Sequence, residues 1–177
     1  MRGQQVMERI IQRKFRNPKL LEEALIAAGA DVEPPKNNKK RQGNKRLALI
    51  GDAVLRLTLV DDGILLGKTT GQCQSICSAE ASNAALFQIE EQHHLAPFIQ
   101  TSPAQKGHVS PITGATTVEA LVGAVWLDCG RNYAHVHEII HGLGVGESLL
   151  NDRNHTYGPQ VPHEEQSRVE AGSHALT

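Results

Sequence analysis

The chain has 177 residues, enough for one domain to bury a core without disulfides or a structural metal. A composition of 40% hydrophobic and 21% charged residues, with a formal net charge of -1, excludes a disordered polyelectrolyte, and no apolar run is long enough for a membrane span. Aromatic residues make up only 3%, which excludes a base-stacking platform, so any contact with nucleic acid must run through the backbone.

The near-neutral average hides a cationic segment. Between positions 36 and 46 stand Lys36, Lys39, Lys40, Arg41, Lys45 and Arg46 without an intervening acid. Such a patch is the footprint that phosphate binding needs, and a solvated loop is the alternative. Cys73, Cys77 and Cys129 form no paired CxxC pattern, and Cys73 and Cys77 share a helical face as buried apolar groups. A reducing, intracellular setting follows as the expectation, with cytoplasm, nucleus and mitochondrion all open. The basic N-terminus offers a mitochondrial presequence as an alternative, but Glu8 and a continuous apolar stripe favour a first structural helix.

In chain order, Val6, Ile10 and Ile11 recur at helical spacing, and Asn17-Pro18 starts a second helix with proline at its first position. That helix runs through Leu20, Leu21, Ala24, Leu25 and Ala28 and is expected to stop at Gly29. Residues 29 to 43 carry turn chemistry and form the basic loop. Asn44 is the expected N-cap of a central helix whose stripe is Leu47, Ile50, Gly51, Val54, Leu55, Thr58 and Leu59, continuing towards Ile64. One further helical stretch is expected from about Cys73 to Gln92. Residues 101 to 114 are expected as loop, followed by an apolar helix through Val118, Leu121, Val122, Val125 and Trp126. The last helix is expected from about Asn132 to His141. No segment alternates as a strand would, so the fold class is all-α, with one domain over residues 1–150 and a polar tail over 151–177 expected to be disordered.

Two acids interrupt the apolar stripes: Asp52 in the central helix and Glu119 within VEALVGAVWL. A carboxylate there is costly unless it is paired or bound to a cation, and two on separate core helices suggest one shared site of hard oxygen ligands. The alternative is that a nearby Lys, Arg or backbone amide satisfies each. A competing motif is His137-Glu138-Ile139-Ile140-His141, a literal HExxH, in which two histidines four apart could bind zinc while the Glu activates water, as in a zinc metalloprotease. The position where one metalloprotease group has a third His is Glu147.

The segment NKRLALIGDAVL (residues 44–55) resembles the signature helix of the ribonuclease III family, commonly NERLEFLGDAVL. ATTVEALVGAVWLD (115–128) resembles the family's second block, usually ADALEALIGAIYLD, and SAEASNAAL (78–86) resembles the intervening block, often RSALVSNEAL. With LLEEAL near the start, the likeness spans about residues 5 to 145. It implies a ribonuclease III endonuclease domain, a helical homodimer acting on double-stranded RNA, with no membrane partner and no appended double-stranded-RNA-binding domain. By this resemblance Asp52 is the catalytic Asp and Glu119 the metal-binding Glu. Both would hold Mg²⁺, with Mn²⁺ able to substitute. Leu49 would lie in the dimer interface, and His135 and His137 on the surface of a closing helix. Three positions depart from the pattern: Lys45 for a Glu, Ala48 for the signature's second Glu, and Thr116 for the Asp before Glu119. Mini-ribonuclease III proteins, which read AYIGDAV and ATALEALIG, carry the same Ala and Thr and are active. The resemblance therefore leaves an active nuclease and a silent RNA-binding or ribosome-associated relative both open.

Overall fold

Two stretches of the chain carry wide apolar stripes, and a helix of that kind is stable only when the stripe is buried against neighbours. They become α3 (Lys45–Leu65) and α6 (Pro111–Asp128), the pair on which the fold is built. The computed structural model describes residues 2–30 and 42–156. Around the pair lie α1 (Arg2–Ile10), α2 (Pro18–Ala24), α4 (Thr70–Glu80), α5 (Asn83–Gln92), α7 (Tyr133–Gly142) and α8 (Glu147–Thr156), with short 3₁₀ turns at Ala96–Phe98 and Pro103–Gln105.

α3 and α6 touch backbone to backbone. A Cβ on Gly51 would lie 1.8 Å from the Glu119 carbonyl oxygen, and one on Gly123 would lie 2.1 Å from that of Leu47. Only glycine at both points permits this approach. The close crossing lets Leu47, Leu55 and Leu59 of α3 bury with Val118, Leu121, Val122 and Val125 of α6 in one core. Each such side chain contributes about 1.5–3 kcal/mol. Met7 and Ile11, Leu21, Leu86 and Ile89, and Val136 and Ile140 bring the outer helices onto the same core.

The helix starts are written in the sequence. Asn17, Thr69, Ser82, Ser110 and Asn132 each accept a first-turn backbone N–H. At the far end of α6 the buried Asp128 accepts from the backbone N–H of Asn17 (2.8 Å) and Arg16 (3.1 Å) and pairs with Arg13 at 3.2 Å, tying the α1–α2 connection to the core.

The all-α expectation holds, and several boundaries move. α2 ends at Ala24 rather than Gly29, because the Leu25 carbonyl accepts from Gln100 (2.8 Å) and Ala27 donates to the Gln100 carbonyl (2.9 Å), leaving Ile26 in an isolated parallel bridge. Asn44 does not cap with its side chain. Its Nδ2 donates instead to the Ala24 carbonyl (2.9 Å) and towards Thr117 Oγ1 (3.4 Å), so it braces α2 and α6 from the start of α3. The stretch expected from Cys73 to Gln92 is two helices, broken where Ser82 caps α5. α6 begins at Pro111, inside the segment expected as loop, because Ser110 caps it and Pro111 fits its first turn. α8 was not expected and carries the chain past Leu150 to Thr156. Residues 157–177 of the expected tail lie outside the described residues.

Candidate active site

The α3–α6 crossing is what brings the two expected acids together. Gly51 lies against the peptide of Glu119, and the next residue on α3 is Asp52. Both carboxylates are half-buried rather than sunk in the core. Burial, and after it the negative charge of Asp52, push the Glu119 carboxyl up to about 7, while Arg56 acts the other way. Arg56 donates from Nε to Asp52 Oδ1 at 2.9 Å, one helical turn along α3. The arrangement is thus two carboxylates in each other's field, with one cation offsetting part of the repulsion. A hard divalent cation would relieve the remainder, and carboxylate oxygens are its preferred donors. The residues present therefore fit such an ion.

The departures from the four-acid pattern fall beside this pair. Ala48 lies one turn before Asp52 and is buried, and Thr116 lies one turn before Glu119 and is half-buried. Neither offers a charged ligand.

Of the expected phosphate-binding residues, Lys36, Lys39, Lys40 and Arg41 lie outside the described residues. Lys45 is exposed at the first position of α3. Arg46 is exposed but engaged: its Nη2 and Nε reach Glu23 Oε2 and Oε1 at 2.7 and 3.1 Å, and that pairing raises its pKa. Leu49 is 76% exposed, and Leu57, Ile64, Leu65 and Ile112 are exposed as well. Leu49, Leu57 and Ile64 therefore share an uncovered apolar face of α3, whereas Leu65 points elsewhere and Ile112 belongs to α6.

The HExxH segment takes a different shape from a metalloprotease site. His137 and His141 do converge, as their spacing requires, but on Asp62 of α3: His137 Nε2 stands 2.9 Å from Oδ1 and His141 Nε2 2.7 Å from Oδ2. Glu138 is exposed on another side of α7, beside Ile10, Ile11 and Gln12, where it cannot activate water held by the two rings. His137 is also less exposed than a surface position, because its ring rests on the buried carboxylate of Asp62. Sequence reasoning passed over Asp62 and Asp128, the two buried acids that hold elements together. The signal for Asp62 was its place at helical spacing after Leu55, Thr58 and Leu59, all buried.

Residues 45–130 match the family described as Ribonuclease III domain. Among characterised proteins the chain is similar to ribonuclease 3 of Campylobacter fetus, at 31% identity over 66% of this chain and 51% of that one. Ribonuclease 3 of Carboxydothermus hydrogenoformans is 28% identical over 70% and 54%. The chain thus spans about half the length of these relatives. Among solved structures it is similar to the nuclease domain of ribonuclease III from Campylobacter jejuni, at TM-score 0.66 and 25% identity, covering 78% of this chain and 93% of that one. That structure describes flexibility in a region involved in dimer formation, and a second structure of the same domain superposes at TM-score 0.66 with 26% identity over 81% and 94%.

Proposed function

Because the chain belongs to the ribonuclease III family, we propose that it is an endoribonuclease that cuts double-stranded RNA as a homodimer with Mg²⁺ at Asp52 and Glu119. The observation that carries this reading is the half-buried Glu119, pushed up to about 7 by burial and by Asp52 across a crossing that only glycines allow. A divalent metal belongs to the family's chemistry. When bound, it supplies Lewis acidity towards water and the phosphodiester.

The protein's own residues do the rest. Asp52 and Glu119 supply the oxygen ligands, and in that role Glu119 must be ionised. Arg56 fixes Asp52 through its 2.9 Å contact and balances part of the charge left when the site is empty. Lys45, at the opening of α3, stands seven residues before Asp52, about 10 Å along the axis, where its ammonium can meet a phosphate of the same duplex. With Lys36, Lys39, Lys40 and Arg41 it supplies contacts that read A-form shape and phosphate rather than sequence. Arg46 joins them once it releases Glu23.

The apolar face of Leu49, Leu57 and Ile64 on α3 supports homodimerisation across that helix. A two-fold axis there would present two equivalent sites, one to each strand.

A second reading has its own observation. Ala48 and Thr116 leave the site with half the usual carboxylates, which favours a silent, RNA-binding relative. A cleavage assay on long duplex RNA, titrated with Mg²⁺ and then Mn²⁺, separates the two. An active two-acid site should bind metal weakly and gain activity into the millimolar range. No cutting by wild type at any level, together with cutting by an Ala48→Glu/Thr116→Asp variant, would establish the silent relative.

A further inference from the structure

We propose that Asp62, His137 and His141 bind one zinc-class divalent cation that clasps α7 to α3, at a site separate from Asp52 and Glu119. Their three ligand atoms lie within 4.8 Å of one another. The side chain of Asp62 is 1% exposed, and both of its oxygens are faced by imidazole nitrogens from α7. The two rings meet edge-on, with centroids 4.5 Å apart and planes at 71°, so they converge instead of stacking. Asp62 stands ten residues after Asp52, about 15 Å along the helix axis, too far to share an ion.

The surroundings orient the rings as metal-binding histidines need. His141 Nδ1 lies 2.9 Å from the Val145 carbonyl, which can only accept, so Nδ1 carries hydrogen and Nε2 is the atom turned to the site. Gly146 packs on the same ring: a Cβ there would come within 2.9 Å of Cε1, so the ring has no room to swing away. Tyr133 meets the His137 ring edge-on at 5.7 Å and donates its hydroxyl to Asp61 at 3.0 Å. His137 is 23% exposed, which opens the fourth coordination position to water.

Two imidazole nitrogens and one carboxylate oxygen suit zinc, whereas magnesium and calcium prefer oxygen alone. Around a tetrahedral zinc with bonds of about 2.0–2.1 Å, neighbouring donors stand about 3.3 Å apart. The 2.9 and 2.7 Å contacts reach different oxygens of Asp62, so with one oxygen as ligand one of these pairs opens by roughly half an ångström, and the other separations, which lie within 4.8 Å, adjust to the same spacing as the ion enters. The exchange balances: the cation takes the place of the Nε2 hydrogens that His141 and His137 direct at Asp62. The His141 proton leaves to solvent because its Nδ1 already carries one, and His137 ends as a neutral ring with its one proton on Nδ1, any second proton also leaving to solvent. Glu138 has no part in this site, so the ion holds helices together and performs no hydrolysis.

The test uses the full chain, purified without a metal-affinity tag and titrated with Zn²⁺, then with Co²⁺ as a spectroscopic probe. The expected result is one equivalent of zinc per chain and a visible tetrahedral cobalt spectrum. The melting midpoint should rise by roughly 5–10 °C when free zinc is a hundredfold above its Kd. Asp62→Asn and His141→Gln should each lower zinc affinity at least tenfold, while Asp52→Asn and Glu138→Gln leave it unchanged. His137→Gln, at the half-exposed ring, carries the same expectation should Asp62→Asn fail to fold. Absence of zinc binding in wild type would overturn the proposal. So would zinc retained in the Asp62, His137 and His141 variants, or lost on Glu138→Gln.

Discussion

Replacing Gly51 with alanine places a methyl carbon 1.8 Å from the Glu119 carbonyl oxygen and 2.6 Å from its carbonyl carbon. Both obstacles are helix backbone, so no side chain can turn aside to make room. To restore an ordinary contact, α3 and α6 must part by about 1.5 Å, and a gap of about 1 Å already forfeits up to half of a contact's dispersion energy. Overpacking ordinarily costs about 1–3 kcal/mol, and a clash between two backbones belongs at or above that limit, about 3–5 kcal/mol. Against a total stability of about 5–15 kcal/mol, the loss should lower the melting midpoint by roughly 10 °C or more. Gly71→Ala is the control: it lies in α4 with nothing within 4 Å of a new Cβ and should stabilise by about 0.5–1 kcal/mol. The assay is thermal unfolding by circular dichroism, alongside the NMR titration of the Glu119 carboxyl, which should move towards an ordinary carboxylate as Asp52 recedes. A Gly51→Ala protein that melts within 2 °C or so of wild type, with the Glu119 titration unchanged, would refute the close crossing.

Three further outcomes follow. Glu119, raised from 4.5 to about 7, stays protonated while its unfolded counterpart ionises, so its contribution is complete below about pH 4.5 and is lost as pH rises to about 7. Melting should accordingly fall across that window by an amount on the order of 1–2 kcal/mol after screening by solvent, and Glu119→Gln should flatten the slope. Glu90, raised first by burial and then by Glu91, adds to the same trend, whereas Asp62, held low by His137 and His141 against its burial, loses stability only at more acid pH. Asp128→Ala would leave the amides of Arg16 and Asn17 and the guanidinium of Arg13 without their acceptor, costing about 3 kcal/mol in chemical denaturation; a loss under about 1 kcal/mol would show the contacts to be incidental. Leu49→Lys with Leu57→Lys should convert a dimer to a monomer by analytical ultracentrifugation without lowering helix content, and a persistent dimer would move the interface off this face of α3.

The central helices and the Asn17-Pro18 start of α2 were legible because the signals are local, an apolar stripe and a capping Asn before proline; the starts at Ser82 and Ser110 and the whole of α8 were not foreseen. The Asp52–Glu119 pair was legible for the same reason, as two acids at odds with apolar helices. Less visible were the features decided by distant partners. Gln100 takes the backbone groups that would have continued α2, and Asn44 spends its amide on Ala24 instead of its own helix. Neither bond has a sequence spacing to announce it. His137 and His141 were recognisable as a pair on one face, yet their partner lies 75 and 79 residues earlier, and only the packing of α7 on α3 identifies it as Asp62. The expected depth of burial of the acids was also too great, since half-buried positions at a helix crossing look like core positions in a stripe.

The central claim is that Asp52 and Glu119 act as one metal-binding pair on duplex RNA, and the most direct test is single-turnover cleavage of a labelled duplex by wild type, Asp52→Asn and Glu119→Gln at matched RNA occupancy in saturating Mg²⁺. The account predicts cutting by wild type and a loss of at least about a thousandfold, some 4 kcal/mol of barrier, in either variant, with RNA affinity nearly unchanged. Cleavage by Glu119→Gln at a rate within tenfold of wild type would contradict it.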